Sequence, residues 1–212
     1  MSLFRLNNYR AGDLSEYIAQ FFITRLAYSA SVPRQEDFGV ADFVCFRTEK
    51  NKRRVYAKSG FYLQVKAKPR SYYLEFNGSF NLWILENLDL PFLLCIVDNK
   101  KEEIELFSSW RILYSIMNNQ QYKIDKMKFF MKKSDFGKHC YEYNENDKVL
   151  SIALHKPIIK KRLVDIINMS DEYEKILKFW VELERKNLHC LRTHKSFFVW
   201  GIELGYKQRS RS

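Results

Sequence analysis

Between Phe61 and Lys68 the chain alternates, with Phe61, Leu63, Val65 and Ala67 apolar and Tyr62, Gln64, Lys66 and Lys68 between them. Side chains on a strand repeat every second residue, so this predicts a strand with one buried face and with Gln64 and Lys66 together on the other. Pro69 ends it, because proline cannot continue a ladder. Phe43 to Phe46 predicts the preceding strand, and Lys50 to Arg54 the charged turn between the two. Ahead of them, Asp13 and Glu16 have capping-box spacing. Leu14, Tyr17, Ile18, Phe21, Phe22 and Leu26 then follow the helical period, which predicts a helix from Asp13 to Ala27. Ser31-Val32-Pro33 reads as a short edge strand or a connector. Tyr72 to Phe76 predicts a further strand, and Ser79 caps a short helix through Leu88. The unbroken apolar run Phe92 to Val97 predicts a strand buried on both faces. Asp98-Asn99-Lys100 turns the chain, and Ile104 to Phe107 returns as the second arm of a hairpin.

The pattern changes after Trp110. Trp110 to Met117 has helical spacing, Tyr122 to Lys133 is basic and aromatic, and Val149 to Leu154 reads as a strand. Pro157 introduces a helix predicted over Ile158 to Ile167. Asp171 opens a long amphipathic helix through Lys186, with Tyr173, Ile176, Leu177, Trp180 and Leu183 on its apolar stripe. This order of elements predicts a mixed α/β layer over residues 1–118, followed by a mainly helical α+β extension over 119–212.

Composition supports a packed protein: 46% of residues are hydrophobic and 16% aromatic. No apolar run reaches membrane-spanning length and no leader-like segment opens the chain, so the sequence predicts a soluble, cytoplasmic protein with no membrane partner. Cys45, Cys95, Cys140 and Cys190 are widely spaced and read as buried free thiols of a reducing compartment. The formal net charge is +11. Residues 1–121 hold 16 basic and 13 acidic residues, and residues 122–212 hold 20 and 12. An excess concentrated in the second half suits a polyanion, through counterion release, or an acidic protein surface.

The chemistry-bearing residues cluster in the Glu36–Lys66 stretch. Asp42, at the mouth of one strand, faces Gln64 and Lys66 on the next. An acid, an amide oxygen and an amine suit a hydrated divalent cation beside a phosphodiester. An acid after the Gly-containing turn Asp37-Phe38-Gly39-Val40-Ala41-Asp42, a strand, and Gln64-Val65-Lys66 on the following strand resembles the PD-(D/E)xK nuclease superfamily. The resemblance is to branches related to Mrr-type restriction and archaeal Holliday-junction-resolvase nucleases, in which glutamine often replaces the second acid. It also extends to bacterial relatives found in antiphage systems, and it covers Asp13 to Phe107.

The resemblance implies a restriction-endonuclease-like mixed central sheet flanked by helices, and Mg²⁺- or Mn²⁺-dependent DNA cleavage. Carried onto this chain, Asp42 is the metal-binding aspartate, Gln64 the variant second ligand, and the Val65 carbonyl a further one. Lys66 positions the attacking water and neutralises the scissile phosphate, and Glu16 is an accessory acid on the first helix. The chain departs from the pattern at Ala41, where a proline is expected, and at Gln64, which removes one negative charge. Glu16, Glu36 and Asp37 are the acids able to restore it.

Lys68, Lys126, Lys128, Lys132, Lys133, Lys160, Lys161 and Arg162 are candidate contacts to a nucleic-acid backbone. DNA is the expected substrate, with RNA left open, alongside a protein partner or a second copy of the chain. His139-Cys140, His189-Cys190 and His194 lack the paired-knuckle spacing of structural zinc sites. Two other function classes fit the same sequence. One is an inactive nuclease-like scaffold, suggested by the neutral Gln64; the other is a protein-interaction subunit with an acidic partner.

Overall fold

The computed structural model describes residues 7–32, 42–51, 54–69, 73–77, 88–119, 122–130, 141–154 and 156–193. The elements, in chain order, begin with α1 (Asn7–Ile23), β1 (Ala27–Ser31), β2 (Phe43–Asn51), β3 (Arg54–Ala67) and β4 (Tyr73–Asn77). β5 (Phe92–Asp98), β6 (Glu103–Ser108) and α2 (Trp110–Met117) follow. The second half adds β7 (Lys126–Phe130), β8 (Tyr141–Asn144), β9 (Val149–Ala153), β10 (Ile159–Arg162) and α3 (Asp171–Arg192). They form an α/β fold with two mixed sheets. The larger has the order β1-β2-β3-β5-β6-β10, and the smaller β4-β7-β9-β8. In the larger sheet β3 and β5 are parallel while its other pairs are antiparallel. Among the described residues no helix is long and apolar enough to cross a membrane.

β5 is buried along its whole length. Its side chains divide by parity, as a doubly covered strand must. Leu93, Cys95 and Val97 join Phe61, Leu63 and Val65 under α1 (Ala19, Phe22, Ile23) and the first half of α3 (Leu177, Val181). Phe92, Leu94 and Ile96 face the other way. They share a second apolar cluster with Ile112, Leu113 and Ile116 of α2 and with Met127, Phe129, Leu150 and Ile152 of the smaller sheet. The larger sheet is thus the middle layer, with α1 and the first half of α3 on one side and α2 and the smaller sheet on the other.

Several elements differ from the sequence expectation. α1 begins at Asn7, so Asp13 lies within it, and the chain is already in β1 at Ala27. The residues 158–167 expected as a helix instead form β10 and a short 3-10 turn, Leu163–Asp165. The reason is tertiary. β6 would otherwise present an open edge, and Ile158 N–H donates to the Leu106 carbonyl at 2.7 Å. Ile159 enters the α1-side core, and Lys160 pairs with Glu105 at 2.8 Å and Glu103 at 3.0 Å.

The Tyr72–Phe76 strand exists as β4 but pairs with β7, across the 118/119 division read from the sequence. β10 and α3 likewise return to the larger sheet. The α3 stripe is rotated from the expected one: Leu177, Val181, Glu184 and Leu188 are buried, while Trp180 and Leu183 are half-buried. Of the helix expected from Ser79 to Leu88, only Leu88 is among the described residues. Cys45, Cys95 and Cys190 are buried free thiols; Cys140 lies outside the described residues.

Candidate functional site

Backbone alternation sets the geometry at one end of the larger sheet. Tyr62 N–H donates to Pro91 at 2.6 Å and Lys68 N–H to Val97 at 2.8 Å. The even-numbered peptide groups of β3 therefore point to β5 and the odd ones to β2. β2 starts at Phe43, opposite Leu63. Asp42 sits in the bend before it, its N–H donating to the Leu63 carbonyl at 3.0 Å and its carbonyl accepting Val32 N–H at 2.9 Å. β3 runs on past this point, so Val65 N–H needs another acceptor on that side. Asp42 Oδ2 supplies it at 2.5 Å. By the same alternation the Val65 carbonyl points to the Asp42 side.

Gln64 and Lys66 flank that peptide in the chain and share the opposite face from Leu63 and Val65. Gln64 is only 1% exposed, packed beside Leu94 in register. Lys66 is half-buried and in register with Ile96. The Asp42 charge also reaches the other face of the sheet. Burial pushes the Cys95 thiol up, and Asp42 adds to that rise.

Glu16 comes to this same end by a different route. Ser15 and Asn99 hydrogen-bond through their side chains at 3.1 Å, which seats the first half of α1 against the turn after β5. The helix, however, covers the Leu63–Val65 face. Glu16 is carried on the helix that covers this face.

The structure adds a carboxylate that the sequence reading left in a turn. Asp98 ends β5 and pairs with Lys68 at 3.1 Å. Its Oδ1 accepts the N–H groups of Lys100 at 3.2 Å and Lys101 at 3.1 Å. Burial raises its pKa, but the Lys68 ammonium and these two N–H groups outweigh that and hold it below the usual range. The registers carry the row onward from Asp98 to Glu103 and Arg162, and beside it from Ile96 to Glu105 and Lys160. Lys66, Lys68, Lys160 and Arg162 therefore stand on one face, interleaved with acids. The signal for this was in the sequence, as the acids Glu103 and Glu105 and the basic run Lys160–Arg162, but the strand nature of the second segment was not.

The other expected nucleic-acid contacts are dispersed. Lys126 is on the smaller sheet, tied to Glu75 at 2.9 Å, and Lys128 stands between Glu75 and Ser151 in register. Lys161 lies over the Tyr173 ring at 4.5 Å; Arg162, which belongs to the row above, also meets Asp165 at 3.2 Å. Lys132 and Lys133 lie outside the described residues, as do Glu36, Asp37, His139 and His194.

Of the expected ligands, the structure brings the Asp42 carboxylate to the Val65 backbone, while the Gln64 side chain is buried on the face opposite Leu63 and Val65. Among the described residues no three His, Cys, Asp or Glu side chains gather into a metal-binding group. Mg²⁺ keeps several waters and draws other ligands from substrate phosphate, so its binding does not require such a group. No family model, curated protein or solved structure matches this chain.

Proposed function

We propose that this chain is a metal-dependent nuclease, or the nuclease subunit of an assembly, that hydrolyses phosphodiester bonds in DNA. The observation that supports it is the Asp42 carboxylate held against the peptide between Gln64 and Val65, with Lys66 one residue on. In this reading Asp42 and the Val65 carbonyl hold Mg²⁺ or Mn²⁺, with Gln64 as a neutral third donor. Such an ion, when bound, acidifies its water and stabilises charge on phosphoryl oxygens. Lys66 orients the water and neutralises the phosphate, and Glu16 assists from α1.

The test uses Asp42→Asn and Lys66→Ala in the full chain. Cleavage of supercoiled and single-stranded DNA is followed with Mg²⁺ or Mn²⁺. A fall of roughly 100-fold or more is expected in each, on the scale of losing one electrostatic stabiliser. Undiminished cleavage in either purified variant sinks the assignment.

The burial of Gln64 and the structural use of Asp42 Oδ2 favour a second reading, a nuclease-like scaffold that binds nucleic acid or a partner without cutting. Calorimetric titration with Mn²⁺ separates the two. The enzyme binds the ion in a manner that depends on Asp42, and the scaffold does not.

A further inference from the structure

α1 carries more apolar surface than its place in the core requires. Toward the larger sheet it presents Ser15, Ala19, Phe22 and Ile23, all 0% exposed. On the outer side of the same helix stand Leu14, Tyr17 and Phe21, which are 50%, 71% and 49% exposed. Their spacing of three and then four residues puts them on one stripe. Single exposed apolar residues are ordinary, but three on one stripe make a surface that a partner covers. α3, which shares this side of the sheet, has no such second stripe among its described residues. Its Leu177 and Val181 enter the core, and Glu184 caps α2 by accepting the Ser109 hydroxyl at 3.3 Å and the Trp110 N–H at 3.1 Å. Phe179, exposed on α3, packs edge-on against Trp180 with ring centroids 5.8 Å apart.

The charges around the α1 stripe are arranged in a self-complementary order. The helical path runs on past Ile23, with Thr24 N–H donating to the Gln20 carbonyl at 3.0 Å and Arg25 N–H to the Phe22 carbonyl at 3.2 Å. Arg25 therefore stays in step with the helix, and Asp13, Tyr17, Phe21 and Arg25 form one row at four-residue spacing. An acid begins the row, a base ends it, and two aromatic residues fill the middle. Laid antiparallel on a second α1, the row matches itself. Asp13 meets Arg25 of the second copy, and Tyr17 meets its Phe21, each pair occurring twice as a two-fold axis demands. The apolar surface also continues beyond the helix. Arg25 Nη2 donates to the Ile167 carbonyl at 3.2 Å, so Ile167, 64% exposed, stands at the end of the row where Leu14 of the second copy arrives. A guanidinium has five N–H donors, so this bond leaves others for a carboxylate.

We propose that the chain pairs with a second copy of itself through α1, the two helices antiparallel about a two-fold axis level with Ala19. Burial of Leu14, Tyr17, Phe21 and Ile167 supplies the attraction, and the two Asp13–Arg25 pairs set the register and the antiparallel sense. A parallel pairing sets Asp13 against Asp13 and Arg25 against Arg25, which like-charge repulsion disfavours. The charges also select against other occupants. A nucleic-acid backbone or an anionic membrane surface favours a stripe edged by lysine and arginine, whereas this one is edged by Asp13 and Glu16 along the helix and by Arg25 only at its end. A seam of one helix face is at the small end of the range for protein pairs, so a dissociation constant of about 10 µM is expected.

Sedimentation velocity of the full chain from about 1 to about 100 µM reads the pairing. The native protein is expected to pass from monomer to dimer across this range. Asp13→Arg and Arg25→Asp each set like charges across the seam, and each alone is expected to weaken association about tenfold or more. Mixed in equal amounts, the two variants are expected to regain the native affinity, because each then supplies the charge that the other lacks. A native protein that stays monomeric throughout, including one whose stripe captures lipid vesicles instead, overturns the pairing. So does a dimer indifferent to both charge variants, or a mixture no tighter than its components. Should either charge variant not fold, Tyr17→Ser and Phe21→Ser, both at exposed positions, decide. Association weakened about tenfold or more supports α1 as the seam, and native affinity in both overturns it.

Discussion

Asp42 Oδ2 stands 2.5 Å from the backbone nitrogen of Val65, so one carboxylate both ends the β2–β3 ladder and faces the chain between Gln64 and Lys66. In the proposed nuclease, structural and chemical duties would fall on the same group. A carboxylate accepting a backbone N–H makes a charge-assisted bond of more than average strength.

It follows that Asp42→Ala has a stability cost apart from any loss of activity. Removing the acceptor leaves Val65 N–H unpaired, worth about 1.5–3 kcal/mol. Asp42→Asn keeps an acceptor oxygen and is expected to lose less than about 1 kcal/mol. Urea denaturation of the two variants checks the order. Equal losses would mean that the bond contributes nothing to the fold.

Asp98 provides a prediction with a pH signature. Asp98→Ala frees the Lys100 and Lys101 N–H groups and unpairs Lys68, with an expected loss of about 1–3 kcal/mol at pH 7. The folded carboxyl has a depressed pKa, so its stabilisation is present above the unfolded value and disappears as pH falls through the folded one. Native protein and variant should therefore converge in stability in acid, below pH 3.8, the ordinary value for the group. A gap that persists unchanged there would show that ionisation of Asp98 is irrelevant.

Lysines that look equivalent in sequence should differ on DNA. Lys160 is held by two carboxylates, and replacing it by alanine is expected to leave the salt dependence of DNA binding nearly unchanged. Lys66→Ala should reduce the slope of log affinity against log salt by about 0.9, the value for one lost phosphate contact. Filter binding or fluorescence anisotropy across a salt series makes the comparison. The reverse ranking would move the nucleic-acid surface to the β10 edge.

The shared core of the two sheets is tested by Phe129, 0% exposed on β7 and clustered with Leu94 and Ile96 of β5. Phe129→Ala should cost about 3–5 kcal/mol. Far- and near-ultraviolet dichroism should still report one coincident transition on heating. Separate melting of the smaller sheet would show that the common cluster does not couple the layers.

The sequence by itself determined the local frame. Strict alternation over Phe61–Ala67 and the unbroken apolar run at Phe92–Val97 have few solutions other than a half-covered and a fully covered strand. Helical periodicity likewise fixed α2 and α3 as elements. Gln64 and Lys66 fell on one face for the same reason, since the period of a strand is a property of the backbone alone. Partner choice is different, because it depends on which edge or core is free. Ile158–Ile167 carries helix-compatible spacing, yet the open β6 edge and the Glu103–Glu105 acids drew Ile159–Arg162 into a strand. Tyr73–Asn77 was legible as a strand but not as a member of the second sheet. Only tertiary structure brought the Asp42 carboxylate to Val65, Asp98 to Lys68, and Glu184 under the N-terminus of α2. Each of these is a long-range contact made to satisfy a backbone or charged group that local sequence leaves open, and local periodicity holds no information about it.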